Sequence, residues 1–316
     1  MKLTVVIPTH NPSLERLFRT LDGLRSQTLP AHEWQTLVVD NASMPALSVD
    51  LLANRAPQNF RLVAEPRLGL TSARRRGFRE ASAPLCVLVD DDNVLASDYL
   101  EQVARLFAAY PRIGALGGRS LPEFETEPPA WTREFYPLLA LRDFGDQPTI
   151  AASLTTGGTT IRAYPSAAAP IGAGMALRLV AIQAWLDEGL ATQLPDRRGE
   201  VLTSGGDNDI VFALLRRGWH VGYFPELSLT HLIPSARLAP GYLARINAGI
   251  QHSWMQVLTK NCANPWPRIS RWSLPLRQLK AWFTFHGWSY PVGYIRWRGA
   301  CGHFAGRTSS LAGRIN

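Results

Sequence analysis

The sequence predicts an α/β layered domain with a mostly parallel sheet, residues 1–238, followed by a basic, aromatic-rich helical extension, residues 239–316. Three observations predict it. Apolar runs of strand length alternate with segments of helical period through the first third of the chain. Three of those runs end in polar clusters, PTHN, DNAS and DDDN, and in open α/β sheets ligands bind beyond the carboxyl ends of the strands. The charge also divides the chain. Leu227 to Asn316 holds 11 Lys and Arg and no Asp or Glu, whereas the first 226 residues hold 22 basic and 25 acidic residues.

The elements follow in order. KLTVVIPTHN reads as a buried strand ending at Pro8. In SLERLFRTLDGLRSQ, Leu14, Leu17, Phe18, Leu21 and Leu24 recur at helical spacing. WQTLVVDNAS is a second buried strand and NFRLVAEP a third. GLTSARRRGFREA is a helix entered at Gly69 or Thr71, and PLCVLVDDDN is the fourth strand. SDYLEQVARLFAAYP is a helix with Ser97 or Asp98 as its N-cap. From about Gly118 to Pro170 the chain is rich in Gly, Pro, Thr and Ala, so long loops around short elements are expected. PIGAGMALRLVAIQAWLDEG gives a Gly-rich turn and then a helix. TSGGDNDIVFALLRRGW gives an acidic helix start, an amphipathic helix and a Gly stop, and HVGYFPELSLTHLIP is strand-like to His231.

A chain of 316 residues, 46% hydrophobic, has material for one large or two modest domains with an ordinary core. MKLTVVIPTHN enters a strand pattern directly, so no secretory signal is expected. No apolar run reaches the length of a membrane-spanning helix. Cys86, Cys262 and Cys301 lack metal-type spacing and read as reduced thiols of a cytoplasmic protein. No GxGxxG follows the first strand and no GxxxxGK[ST] occurs, which removes the main support for dinucleotide and P-loop sites.

What remains is carboxylate chemistry. Asp90, Asp91 and Asp92 are adjacent, and like charges resist joint ionisation, so solvent, a metal ion or a basic partner has to offset them. Asp207 and Asp209 open a later helix, and His231 closes the last strand. Hard oxygen ligands with an imidazole suit Mg²⁺ or Mn²⁺. A separate carboxylate would remain free to take a proton from a nucleophile. Plainer roles compete with these. Asp91 reads as a turn residue, Asp209 as the cap of a helix whose Ile210, Leu214 and Leu215 face the core, Arg75 and Arg76 as solvated helix charges, and His10 as a loop residue.

The order VVIPTHN, LVVDNAS, GLTSARRRG, LVDDDN, GAGMALR, SGGDND and HLIP, across about residues 2–240, resembles the bacterial family 2 glycosyltransferases of the GT-A fold. Gly218-Trp219 followed by HLIPSARL is similar to members that assemble polysaccharides. The resemblance implies roles. Pro8, Thr9 and Asn11 would sit against the nucleotide, Asp40 would hydrogen-bond the base or ribose, and Arg74 would face the nucleotide. Asp90, with Asp91 beside it, would lie towards the ribose or sugar, while Asp92 and His231 would hold Mn²⁺ or Mg²⁺. Gly172 and Gly174 would line the donor-sugar and acceptor cleft, and Asp207 would be the general base. The family usually has Glu where this chain has Gly206. The resemblance thus implies an inverting, metal-dependent transfer from a nucleotide-diphosphate sugar to a glycan or lipid-linked glycan acceptor, with no nucleic acid involved. Six of the ten tryptophans lie among the arginines of the acid-free segment, and peripheral attachment to the inner face of the cytoplasmic membrane is expected from it. Two alternatives are a nucleotide-sugar-binding module without turnover, which Gly206 would explain, and a nucleic-acid-binding protein acting through the basic tail.

Overall fold

Residues 3–9, LTVVIPT, are buried at every position, the pattern of a strand covered on both faces. This strand, β1 (Leu3–Thr9), is the axis of the first half of the fold. It is followed by α1 (Leu14–Arg25), β2 (Trp34–Asp40), α2 (Val49–Ala53), β3 (Phe60–Ala64), α3 (Leu70–Glu80) and β4 (Leu85–Leu88). β1 pairs in parallel with β2 on one side and β4 on the other, and β3 pairs in parallel with β2. Successive residues of these strands point to opposite faces, so Val6 and Leu88 join one core while Val5, Ile7 and Val87 join another. The computed structural model describes residues 1–152, 164–188 and 203–308.

Then come β5 (Asn93–Leu95), α4 (Tyr99–Ala109), β6 (Ile113–Phe124), β7 (Thr149–Ala151), β8 (Ala176–Arg178), α5 (Leu179–Asp187), α6 (Gly206–Arg216) and β9 (His220–Ile233). The sheet runs β3-β2-β1-β4-β8-β6-β9-β5, with β7 also paired to β9. Two elements differ from expectation. β6 continues as a strand to Phe124 through a region expected to be loop, because β9 pairs with it in parallel beyond a register shift at Gly117 and Arg119. β8 is a three-residue strand where a helix was expected to begin, held antiparallel between β4 and β6. Three residues are too few to show a period. Part of the Gly-, Pro- and Thr-rich middle lies outside the described residues.

The C-terminal segment forms α7 (Pro240–Lys260), α8 (Leu274–Thr284) and α9 (Val292–Thr308). α9 lies against α7 through Gly299, Gly302 and Gly306, where a Cβ would strike Asn247, the Ala248 backbone and Met255. Leu243 and Ala244 of α7 and Ile295 of α9 share a core with Phe135, Leu139 and Ile233, so packing continues across residue 238. Cys86 and Cys301 are buried, Cys262 is exposed, and none is bonded to another.

Two charged residues have other roles than the sequence predicts. Arg75 is 2% exposed, not solvated, and its guanidinium donates to the Trp185, Leu186 and Glu188 carbonyls at the end of α5. Asp209 does more than cap α6. It accepts from Trp185 Nε1 at 3.0 Å, Lys260 Nζ at 2.6 Å and Asn261 Nδ2 at 3.3 Å, which fastens α7 to the sheet domain. Removing one partner of a buried ion pair strands the other charge. Lys260→Met is therefore expected to lower stability by about 3–5 kcal/mol, read by urea unfolding. A loss below about 1 kcal/mol, the range of exposed pairs, would show that water already reaches Asp209.

Candidate active site

The carboxyl ends of β1, β2 and β4 open onto a cavity of about 400 Å³. Pro8, Thr9, His10, Asn41, Arg74, Asp90, Asp91, Asp92, Gly172, Asp207 and His231 all line it. Residues from four separate strand ends and two helices thus meet on one rim, as the topology requires. Asn11, Asp40 and Gly174 do not line it. Asp40 accepts from Ser43 N at 3.2 Å and Leu47 N at 2.9 Å, and Asn11 accepts from Met44 N at 2.8 Å. Both carboxylate and amide organise the loop after β2 instead of facing the cavity. Asn41 ties that loop onward, accepting from Gly69 N at the entry to α3.

The Gly-rich turn is shaped by its neighbours. Gly174 N donates to Leu88 O at 3.0 Å, which lays the turn against the end of β4. Gly174 has φ +75, and Tyr99 Oη donates to its carbonyl at 2.5 Å. The buried Arg74 guanidinium lies over Gly172, where any side chain would strike it. Gly172 N donates to Asp207 Oδ2 at 3.0 Å, and Asn208 N donates to Oδ1 at 2.9 Å. Asp207 sits in the first turn of α6, where the helix dipole favours a carboxylate. Gly206 beside it is buried.

The DDDN run forms a tight turn, with Asn93 N donating to Asp90 O at 3.0 Å. The Thr9 hydroxyl donates to Asp91 Oδ2. Burial pushes the Asp91 carboxyl up to about 7, and Asp92 and Asp90 push the same way, against the Thr9 hydrogen bond and Arg237. β5 pairs with β9 so that Asn93 faces His231, which brings Asp92 and His231 together. Asp92 Oδ1 is 3.4 Å from His231 Nε2, and both residues are 4% exposed. Arg237 lies between them. It donates to Asp92 Oδ2 at 2.8 Å and reaches His231 Nε2 at 3.1 Å. The guanidinium has no lone pair, so Nε2 accepts, and the lone pair that would bind a metal points into this space.

The pair fits a divalent ion. A carboxylate oxygen and an imidazole nitrogen 3.4 Å apart are the donor types that would hold Mg²⁺ or Mn²⁺. Among the described residues no group of three His, Cys, Asp or Glu side chains could hold a metal by itself.

Arg237 and the opposite wall are absent from the expected site. Tyr242, Ile246 and Ile250 of α7 line the cavity together with Pro137, Leu138 and Ile171. Their four-residue spacing marks one helix face, and Arg237 stands within the HLIPSARL motif, so both signals were present in the sequence.

The validoxylamine A glucosyltransferase of Streptomyces hygroscopicus subsp. jinggangensis (strain 5008) is 30% identical over 152 residues, 46% of this chain and 36% of that protein. The uncharacterized glycosyltransferase YwdF of Bacillus subtilis (strain 168) is 30% identical over 105 residues, 33% of this chain and 38% of that protein. The match thus spans little more than a third of these relatives' length. The crystal structure of S. aureus TarS 1-349 superposes with a TM-score of 0.50 at 14% identity, covering 97% of this chain and 90% of that one. The same protein in complex with UDP gives 0.52 at 13% identity, with the same coverage. These likenesses are of fold, a mixed α/β sheet domain with a helical C-terminal region. The sequence profile described as Glycosyl transferase family 2 matches residues 4–168, more than half of the chain, from β1 past the DDDN turn and β7, and the chain therefore belongs to glycosyl transferase family 2, with the GT-A fold.

Proposed function

We propose that this chain is an inverting glycosyltransferase. It moves a sugar from a nucleotide-diphosphate sugar to a hydroxyl acceptor in the assembly of a cell-surface polysaccharide or glycolipid. The observation that carries this reading is Asp207, a carboxylate fixed by two backbone N–H groups on the same cavity as the DDDN turn, Arg74 and Arg237. The UDP complex of the TarS structure and the glucosyltransferase name of the Streptomyces relative support a nucleotide-sugar donor.

The residues divide the work. Pro8, Thr9, Asn41 and Arg74 line the side on which the nucleotide binds. Asp92 and His231 would hold Mn²⁺ or Mg²⁺, which when bound neutralises charge on the leaving diphosphate. Asp207 takes the proton from the acceptor hydroxyl as that oxygen attacks the anomeric carbon from the face opposite the diphosphate. One base and one displacement invert the configuration. The face of α7 at Tyr242, Ile246 and Ile250 closes the acceptor side with apolar surface that excludes water.

The test is a screen of nucleotide sugars with Mn²⁺, with Mg²⁺ and with chelator, following nucleoside diphosphate release with and without acceptor. Release from one donor class in the presence of metal, and its loss in chelator, is the expected result. Full release in excess chelator would remove the metal from the proposal. Gly206 favours one other reading, a nucleotide-sugar-binding module of the same fold. Tight donor binding with no release under any condition would decide for it.

The proposal has a second part, peripheral attachment to the inner face of the cytoplasmic membrane through the segment around α8. Among the described residues no helix is long and apolar enough to cross a membrane. Trp272 is 93% exposed, and Leu276, Phe283, Trp288 and Tyr290 are exposed as well.

A further inference from the structure

Asp92 and His231 present two lone pairs to one small space, and the space holds a guanidinium. Arg237 Nη2 meets Asp92 Oδ2 at 2.8 Å and Nη1 meets His231 Nε2 at 3.1 Å. A divalent ion would need the same carboxylate and the same imidazole nitrogen, although Oδ1, not Oδ2, is the Asp92 oxygen 3.4 Å from Nε2. Arg237 also feels Asp90, Asp91 and the Tyr242 hydroxyl, so it supplies counter-charge to the adjacent aspartates. Its side chain is 23% exposed against 5% for Asp92, and it lines the cavity. The acid is fixed in the wall, while the base stands on the open side. Arg237 is carried by the short 3-10 turn Ser235–Leu238 between β9 and α7, not by the sheet.

We propose that Arg237 is a ligand of the donor diphosphate which, in the donor-free protein, occupies the cation position between Asp92 and His231. The proposal rests on the reading of the donor as a nucleotide-diphosphate sugar. A planar guanidinium bonds two phosphate oxygens at once, which a diphosphate at this rim would offer in place of Asp92. When it turns to the diphosphate, the lone pairs of Asp92 and His231 are released. Divalent ion and nucleoside diphosphate therefore bind with positive coupling, since each favours the arrangement that the other needs. Without the diphosphate, the ion competes with Arg237 for the Asp92 carboxylate and for His231 Nε2.

The experiment uses the full chain, Arg237→Met and Arg237→Lys. Mn²⁺ alone is titrated and free aquo-ion is read by EPR. UDP, GDP, ADP and CDP are titrated by calorimetry, each in chelator and in Mn²⁺. Wild type should hold Mn²⁺ weakly alone and at least about 5-fold more tightly with the nucleoside diphosphate that it accepts. Arg237→Met should bind Mn²⁺ alone more tightly than wild type, bind that nucleoside diphosphate more weakly, and lose the coupling. Arg237→Lys keeps a cation against Asp92 but not the two-pronged geometry, so it should keep Mn²⁺ out and still bind the nucleoside diphosphate more weakly. It is the deciding variant should Arg237→Met fail to melt cooperatively. If wild type binds a nucleoside diphosphate and the variants match it in both affinities, Arg237 is a structural ion pair and the inference fails while the donor reading stands. If wild type binds none of the four with Mn²⁺ present, the donor reading fails and takes the inference with it.

Discussion

Asp207→Asn is expected to lower the transfer rate by about 10²–10⁴, the usual contribution of a positioned general base. Affinity for the nucleotide sugar should change little, because the Asp207 carboxylate is held by Gly172 N and Asn208 N, while Arg237 pairs with Asp92. The substitution is not structurally silent. An amide can accept from only one of those two N–H groups and turns its own NH₂ towards the other. Unfolding midpoints therefore have to accompany the rates, and a fall in rate with donor binding retained is the signature of a lost base. If Asp207→Asn transfers sugar at the parent rate, the assignment is wrong. Asp209 would not be its replacement, since Lys260, Trp185 and Asn261 bind its oxygens away from the cavity. Asp90 and Asp91, which do line it, would be the carboxylates left to consider.

The polar strand ends could be read from the sequence because a parallel sheet gathers them without further information. PTHN, DNAS and DDDN follow three neighbouring strands, and any such sheet sets their ends on one edge. The residues whose role is not legible are those that depend on a distant partner. Arg75 is an ordinary helix charge in the sequence, but it reaches the free carbonyls ending α5, more than a hundred positions away. Asp209 looks like one more acid in a helix start, and only the fold brings Lys260 to it. Arg237 is six residues from His231, yet its place between His231 and Asp92 follows from the pairing of β5 with β9. Asp40 illustrates the reverse limit. A carboxylate at a strand end suggests a ligand, while here two backbone N–H groups of its own loop take it up.

Wild-type protein is expected to float with vesicles containing anionic lipid at low salt and to be released by high salt. α8 is the reason. Of its residues only Ala281 is buried, while Leu276, Leu279 and Phe283 are exposed on the helix and Trp272, Phe285, Trp288 and Tyr290 on its flanks. Scattered apolar residues on a surface need no account, but seven large ones within nineteen positions are a patch. Not all the aromatic residues of the segment are available. Trp282 packs edge-on against Trp297 at 4.8 Å, and Trp254 against Tyr164 at 5.1 Å, so part of the tail is helical core. Arg268, Arg271, Arg277 and Lys280, all exposed, are interspersed in the sequence with what is left exposed, and no acid occurs in the segment. Each basic residue near an anionic leaflet contributes about 1 kcal/mol, so four contribute roughly three powers of ten in affinity. Tryptophan and tyrosine add a preference for the headgroup layer. Cutting the chain before α7 would remove a wall of the cavity and the partner of Asp209, so substitutions are the cleaner probe. Replacing Arg271, Arg277 and Lys280 by Gln should abolish the salt-dependent part of binding, and Trp272→Ser with Phe283→Ser the part that survives salt. Neither set touches the cavity, and each should leave transfer to a soluble acceptor intact. Flotation of wild type and both variants alike, or of none, would sink the membrane role. Concentration-dependent dimers in sedimentation would then assign the patch to a second copy of the chain, and retention of single-stranded oligonucleotides would assign it to nucleic acid.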